Sequence, residues 1–128
     1  MRNGPGRILV VDDEIHILHV IGYKLRQAGY EVLTARDGPE ALETVQVELP
    51  DLVITDYHMP HLSGLELSQR LRHLPVTRDI PVILLTARGY MLDADALEAA
   101  GIDRCVYKPF GPRQLLGLVN EMLTPSAV

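Results

Sequence analysis

The stretch Arg7-Ile8-Leu9-Val10-Val11-Asp12-Asp13 decides the fold. It is a short continuous apolar run that stops on two acids. A strand with one face in water would alternate apolar and polar residues. This one does not, which predicts a strand covered on both faces, as in a parallel sheet.

Outward from it, the same unit recurs. Glu14 to Gln27 carries Ile15, Leu18, Val20, Ile21 and Leu25 near a helical period, and Gly29 stops it. Tyr30 to Ala35 reads as a second strand. Asp37-Gly38-Pro39 is turn and helix-start chemistry, with a helix over Glu40 to Glu48. After Pro50, Leu52 to Thr55 is a third strand that runs into Asp56, followed by a loop carrying Met59-Pro60. Ser63 caps a predicted helix through Leu74. Ile80 to Leu85 is a fourth strand, closed by Thr86. A weaker helix is expected from Arg88 to Ala100. Asp103 to Tyr107 is a fifth strand, and Pro112 to Leu123 the last helix.

Five β-then-α units predict an α/β fold, an open parallel sheet wound on both faces by helices with right-handed crossovers. The chain is expected to be a single domain over 1–128, with its core at about 7–123. Thr124-Pro125-Ser126 opens a tail or the start of a linker.

Composition agrees. Of 128 residues, 47% are apolar and 23% charged, enough for one core and too apolar for disorder. Net charge is −5 and no basic run occurs, which argues against direct nucleic-acid binding. No apolar run approaches bilayer-spanning length, and the first residues lack the apolar core of a signal peptide, so a cytoplasmic location is expected. The single cysteine, Cys105, excludes an internal disulfide framework.

Ligands of such sheets bind beyond the carboxyl ends of the strands. Those ends are Asp12-Asp13, Asp56, Thr86-Ala87 and Lys108-Pro109. Three acids, a hydroxyl and a cation then converge from distant parts of the chain. Clustered carboxylates repel one another unless a cation intervenes, and hard oxygen ligands with room for water suit Mg²⁺. A carboxylate can attack phosphorus and form an aspartyl phosphate. The metal, a lysine and a hydroxyl or backbone N–H can each take one phosphoryl oxygen.

Taken singly, each residue has a plainer reading. Asp13 could cap the first helix, Asp56 could sit in a turn, Thr86 could be an ordinary strand residue and Lys108 a solvated charge. Their joint occurrence at four strand ends favours the site.

These residues carry a resemblance to a known family. Val10-Val11-Asp12-Asp13-Glu14, Asp56-Tyr57-His58-Met59-Pro60 with Gly64 eight residues after Asp56, Leu85-Thr86-Ala87, Ala99-Ala100-Gly101 and Lys108-Pro109-Phe110 together resemble a response-regulator receiver domain, the family of the bacterial chemotaxis regulator. The resemblance covers about Arg7 to Leu123. It implies the flavodoxin-like (βα)5 fold with strand order 2-1-3-4-5.

It further implies that Asp56 is the phosphoacceptor. Asp13 would be a direct Mg²⁺ ligand, Asp12 would act through a metal-bound water, and the His58 backbone carbonyl would add a ligand. Lys108 would contact the phosphoryl group across a cis Lys108–Pro109 bond. Thr86 would swing toward the phosphoryl oxygen, with Ala87 beside it as a further binding residue. The donor would be a phosphohistidine on a sensor histidine kinase or a histidine phosphotransfer protein. The output would be a two-state surface built by the fourth and fifth units, read by a downstream effector, with a phosphorylation-dependent dimer as one form. Such a domain promotes its own phosphorylation and dephosphorylation but is a switch rather than primarily an enzyme.

One position departs from the pattern. The family usually has an aromatic residue three positions before the lysine, and here that residue is Cys105. Either Tyr107 stands in for it, or the threonine–aromatic coupling is lost. A two-residue shift moves a ring roughly 6–7 Å along a strand, which favours loss. Cys105 reads as a small buried filler rather than a redox sensor. His58 and His61 lack further soft ligands nearby, so a transition-metal site there is disfavoured, and His58 is better placed to modulate water access to the aspartyl phosphate. His16 and His19 read as a polar helix face.

Three other functions fit these residues less well. An unphosphorylated receiver-like interaction module usually lacks an acid or the lysine. An aspartyl phosphatase needs a second aspartate two residues after its nucleophile, where His58 stands. A flavin carrier needs a phosphate loop where Asp12-Asp13-Glu14 would repel phosphate.

Overall fold

A computed structural model describes residues 6–87 and 92–123. Its elements are β1 (Arg7–Val11), α1 (Ile15–Gln27), β2 (Glu31–Ala35), α2 (Gly38–Glu48), β3 (Leu52–Asp56), α3 (Gly64–Arg72), β4 (Val82–Ala87), α4 (Ala94–Ala99), β5 (Arg104–Lys108) and α5 (Pro112–Leu123). The strands form one parallel sheet in the order β2-β1-β3-β4-β5, as the resemblance implied.

The apolar run of β1 faces two ways because side chains alternate across a strand. Ile8 and Val10 enter one core with Leu18, Ile21 and Leu25 of α1 and Leu115 and Val119 of α5. Leu9 and Val11 enter the other with Ala41 and Val45 of α2 and Leu67 and Leu71 of α3. The absence of alternation in β1 is thus the signature of two helical layers.

Element boundaries shift where local chemistry overrides pattern. The fourth strand starts at Val82, not Ile80, because Pro81 has no N–H for the ladder, although its carbonyl accepts from Val53 N at 3.0 Å. The third helix ends at Arg72 rather than Leu74, since the residue before Pro75 is pushed out of helical geometry. The described part of the fourth helix begins at Ala94, with Asp93 capping through the Asp95 N–H. The expected start at Arg88 falls on 88–91, outside the described residues, as do 124–128 of the expected tail.

Arg72 ties the third and fourth units together. Its guanidinium donates to the carbonyls of Arg78, Ile80 and Gly101 and to the Asp103 carboxylate. That carboxylate in turn accepts from Val82 N at 2.8 Å, fixing the first residue of β4.

Candidate functional site

The parallel register brings the predicted residues to one edge. Asp12 and Asp13 follow β1, Asp56 ends β3, Thr86 and Ala87 end β4, and Lys108 ends β5. Asp12, Asp13 and Asp56 each offer a carboxylate oxygen within 4.8 Å of the others. Lys108 Nζ lies 2.7 Å from Asp56 Oδ1 and 3.9 Å from Asp12 Oδ2.

The two adjacent acids have different surroundings. Asp12 is 0% exposed, whereas Asp13 is open to solvent. Asp12 Oδ1 accepts from the Glu14 backbone N–H at 2.9 Å, and this bond shapes the entry to α1. The N-cap of that helix is Glu14, whose side chain makes no capping bond, so the helix-cap reading of Asp13 does not hold. An aspartate accepting from the N–H two residues on is a local pattern that the Asp12-Asp13-Glu14 sequence carries. Asp12 Oδ2 is buried without a hydrogen-bond partner.

The electrostatics follow. The Asp12 carboxyl is raised from 3.8 to about 6, mainly by burial and further by the charges of Asp56 and Asp13. The Glu14 N–H and Lys108 oppose that rise. Burial works to lower the Lys108 ammonium, but its bond to Asp56 and the charges of Asp56, Asp12 and Glu14 outweigh it, and the group is raised. One lysine does not neutralise three clustered carboxylates, and among the described residues the buried Asp12 Oδ2 has no hydrogen-bond partner. That donor set fits a hard divalent cation with oxygen ligands.

Thr86 is 1% exposed, and its Oγ1 has no hydrogen-bond partner among the described residues. Ala87 is the exposed last residue of β4, opposite Lys108 in the register. The Lys108–Pro109 bond is cis, as the resemblance implied. The same register sets Thr86 opposite Tyr107 and Leu84 opposite Cys105. Neighbours in parallel register point to one face, so Tyr107, not residue 105, stands beside the threonine.

The loop after Asp56 is tightly built. Tyr57 N donates to Leu85 O at 2.8 Å and Gly64 N to Tyr57 O at 3.0 Å, while Leu62 N reaches back to Pro60 O at 2.8 Å across His61 with φ 73. That is a γ-turn, a strained form for histidine. His58 is exposed, its ring edge-on to Tyr57 with centroids 4.9 Å apart. Among the described residues no histidine joins a metal-ligating cluster. On the far rim, Arg36 at the end of β2 donates to the Asp13 carbonyl at 3.4 Å, a contact the sequence did not signal.

This is an α/β sheet of order β2-β1-β3-β4-β5 with three acids and a lysine gathered at its carboxyl edge. The family model of the response regulator receiver domain matches residues 8–120, and the chain belongs to that family, the receiver domains of signalling regulators. It is 38% identical over 122 residues to the alkaline phosphatase synthesis transcriptional regulatory protein PhoP of Bacillus subtilis, covering 95% of this chain and 50% of that protein. The chain spans about half the length of the curated relatives it matches. Among solved structures it is similar to the chemotaxis response regulator CheY4 of Vibrio cholerae, at TM-score 0.85 and 34% identity over 91% of this chain and 98% of that one. It is also similar to the receiver domain of the sensor histidine kinase PA1611 of Pseudomonas aeruginosa, which has a magnesium ion in its active-site cleft, at TM-score 0.83 and 28% identity over 92% and 97%. No helix among the described residues is long and apolar enough to cross a membrane.

Proposed function

We propose that this chain is a phosphoryl-operated switch in which Asp56 accepts a phosphoryl group from a phosphohistidine. The donor is a sensor histidine kinase or a histidine phosphotransfer protein. The observation that carries the reading is the buried Asp56 carboxylate, held by Lys108 at 2.7 Å beside two further acids.

An Asp56 oxygen attacks phosphorus, an O–P bond forms and the P–N bond to the donor imidazole breaks, with the electron pair leaving on nitrogen. Lys108, already on Asp56, is placed to follow the charge onto a phosphoryl oxygen. The buried Thr86 hydroxyl, without a hydrogen-bond partner among the described residues, can donate to a second oxygen, with the backbone of Ala87 beside it. Asp13, Asp56 and the His58 carbonyl would hold Mg²⁺ directly and Asp12 through a metal-bound water, and the similar PA1611 receiver domain has a magnesium ion in its active-site cleft. When bound, the cation offsets the acids and shares the charge of the transferred group.

Output follows from the surface around α4, β5 and α5, read by an effector or by a second copy of the domain. The reading places the protein in the cytoplasm, as a switch rather than primarily an enzyme.

The test is intact mass after incubation with acetyl phosphate and Mg²⁺, beside Asp56→Asn and a chelated control. The expected result is a metal-dependent gain of one phosphoryl group that the variant lacks. No gain by folded, Mg²⁺-binding protein overturns the reading in favour of an unphosphorylated interaction module.

A further inference from the structure

Gly64 opens α3, directly after the Ser63 cap, and is buried. Its Cα faces the peptide group of Asp56. A Cβ built there falls inside the van der Waals envelope of the Asp56 carbonyl oxygen, 3.1 Å from the Asp56 carbonyl carbon and 2.7 Å from Leu84 Cδ1. The helix therefore seats its first residue on the backbone of the phosphoacceptor, at a distance that only a residue without a side chain permits.

Neither partner can easily retreat. Asp56 is locked in β3 opposite Leu85, and the next N–H, of Tyr57, is bonded to Leu85 O. The Asp56 carbonyl also accepts from the buried Thr55 hydroxyl at 3.0 Å. On the other side, α3 is fixed by a reciprocal capping box between Ser63 and Glu66, and by Leu67 and Leu71 in the core. The Gly64 N–H closes the 57–63 loop onto Tyr57 O. The far end of that loop is clamped in the same manner. Leu62 is buried against Gly38, where an added Cβ would meet Leu62 Cδ2 and the Leu62 carbonyl oxygen at 2.9 Å.

We infer that Gly64 is a positioning residue for phosphoryl transfer: its bare Cα, pressed on the Asp56 peptide, sets where the Asp56 carboxylate stands relative to Lys108 and the other acids. This rests on the phosphoacceptor reading of Asp56. A methyl group at Gly64 must rotate the 56–57 peptide or push back the start of α3. Either change stretches the Gly64–Tyr57 bond and turns Asp56 away from its 2.7 Å contact with Lys108.

The variants are Gly64→Ala and, as a control for stability alone, Val45→Ala, which leaves a cavity in the α2 core away from the site. Phosphorylation rates at saturating acetyl phosphate and Mg²⁺ are read by intact mass, and unfolding midpoints by circular dichroism. Gly64→Ala is expected to lower the maximal rate about tenfold or more, since a displacement of about 1 Å at a reacting group can cost about a hundredfold. Val45→Ala is expected to lose comparable stability with a rate close to wild type.

A third variant, Gly64→Ala with Leu84→Val, removes the Leu84 Cδ1 overlap and keeps the one with Asp56. It regains stability and stays slow if the glycine acts through Asp56. A wild-type rate in folded Gly64→Ala overturns the inference. So does an equal loss of rate in Val45→Ala, or a rate that recovers with stability in the double variant. Failure of the wild-type protein itself to gain mass is a different result. It removes the phosphoacceptor reading, and the inference with it.

Discussion

Lys108 Nζ meets Asp56 Oδ1 at 2.7 Å although their strands, β5 and β3, are not neighbours: β4 lies between them. The lysine bridges over the end of β4, above Thr86 and Ala87. Its ammonium stands against the carboxylates of both Asp56 and Asp12. A cation drawn to these carboxylates competes with this ion pair.

Lys108→Met should move two measurements in opposite directions. The cation competes with metal for the same carboxylates, so its removal should raise Mg²⁺ affinity in a titration severalfold. It also removes the donor proposed for the transferred group, so the maximal rate of phosphorylation by acetyl phosphate should fall about a hundredfold. A variant that loses affinity and rate together would show that Lys108 only supports the fold of the pocket.

Asp12 makes the metal-free protein sensitive to acid in an unusual direction. Burial, followed by its acidic neighbours, raises this carboxyl from 3.8 to about 6 in the folded chain. The folded state therefore holds the proton more tightly than the unfolded state. Between roughly pH 4 and pH 6 the native form binds more protons, so this group's contribution to stability falls as pH rises and levels off above about 6. Its size is on the order of 3 kcal/mol at most. In chelator, Asp12→Asn should raise the unfolding midpoint at pH 7 and flatten the difference between pH 5 and pH 7. Equal pH slopes for the two proteins would show that Asp12 is not the group responsible. Mg²⁺ affinity should fall in the variant and, in wild type, below about pH 6.

The sequence made much of this legible because the chemistry lies where regular structure ends. Apolar-rich runs marked the strands, and the residues closing the first, third, fourth and fifth of them lie at the sheet edge, so Asp12, Asp56, Thr86 and Lys108 were legible in the sequence. The difference between Asp12 and Asp13 could not be read in the same way. They are adjacent acids of one type, and only the β1–α1 turn, closed by the Glu14 N–H, buries the first and exposes the second. Nor could the register of β4 against β5, which sets Thr86 beside Tyr107. Pairing between strands depends on the loops and helices joining them, not on the composition of either strand. The seat of Gly64 on Asp56 was visible only as a spacing of eight residues.

Arg72 should prove a structural residue with no part in the chemistry. Its guanidinium satisfies three carbonyls and the Asp103 carboxylate, far from the acidic edge. Arg72→Met leaves those acceptors without their shared donor, which should cost roughly 2 kcal/mol or more. At about 4 °C per kcal/mol for a domain of this size, thermal unfolding should come some 8 °C earlier. The phosphorylation rate of the folded fraction should stay within about twofold of wild type, because additive effects are expected at distant sites. A loss of rate well beyond that would tie the α3–β4 end of the molecule to the site.

Ser63→Ala separates the cap of α3 from the seat of its first residue. Ser63 Oγ accepts from Glu66 N at 3.1 Å and Glu66 Oε1 from Ser63 N at 3.0 Å. Losing the first bond should cost about 1 kcal/mol in urea unfolding. Gly64 and its contact with Asp56 remain, so phosphorylation should slow far less than in Gly64→Ala. A loss as large as that of the glycine variant would mean that the cap, not the close approach, places Asp56.

Cys105 should be a slow thiol. It is partly buried on β5, and burial pushes its pKa up, while a hydrogen bond from Tyr107 opposes the rise. The thiolate is the reactive form, so a raised pKa together with limited access slows attack on a disulfide reagent. With 5,5′-dithiobis(2-nitrobenzoate) near neutral pH, the folded protein should react about tenfold or more slowly than the same chain in urea. Tyr107→Phe removes the bond that favours the thiolate, and should slow the reaction further unless the lost hydroxyl opens access. Running the series at two pH values distinguishes these outcomes. A pKa effect shrinks as pH rises toward that of the thiol, whereas an access effect does not. A native rate equal to that in urea would contradict the buried-filler reading and restore Cys105 as a candidate for oxidation.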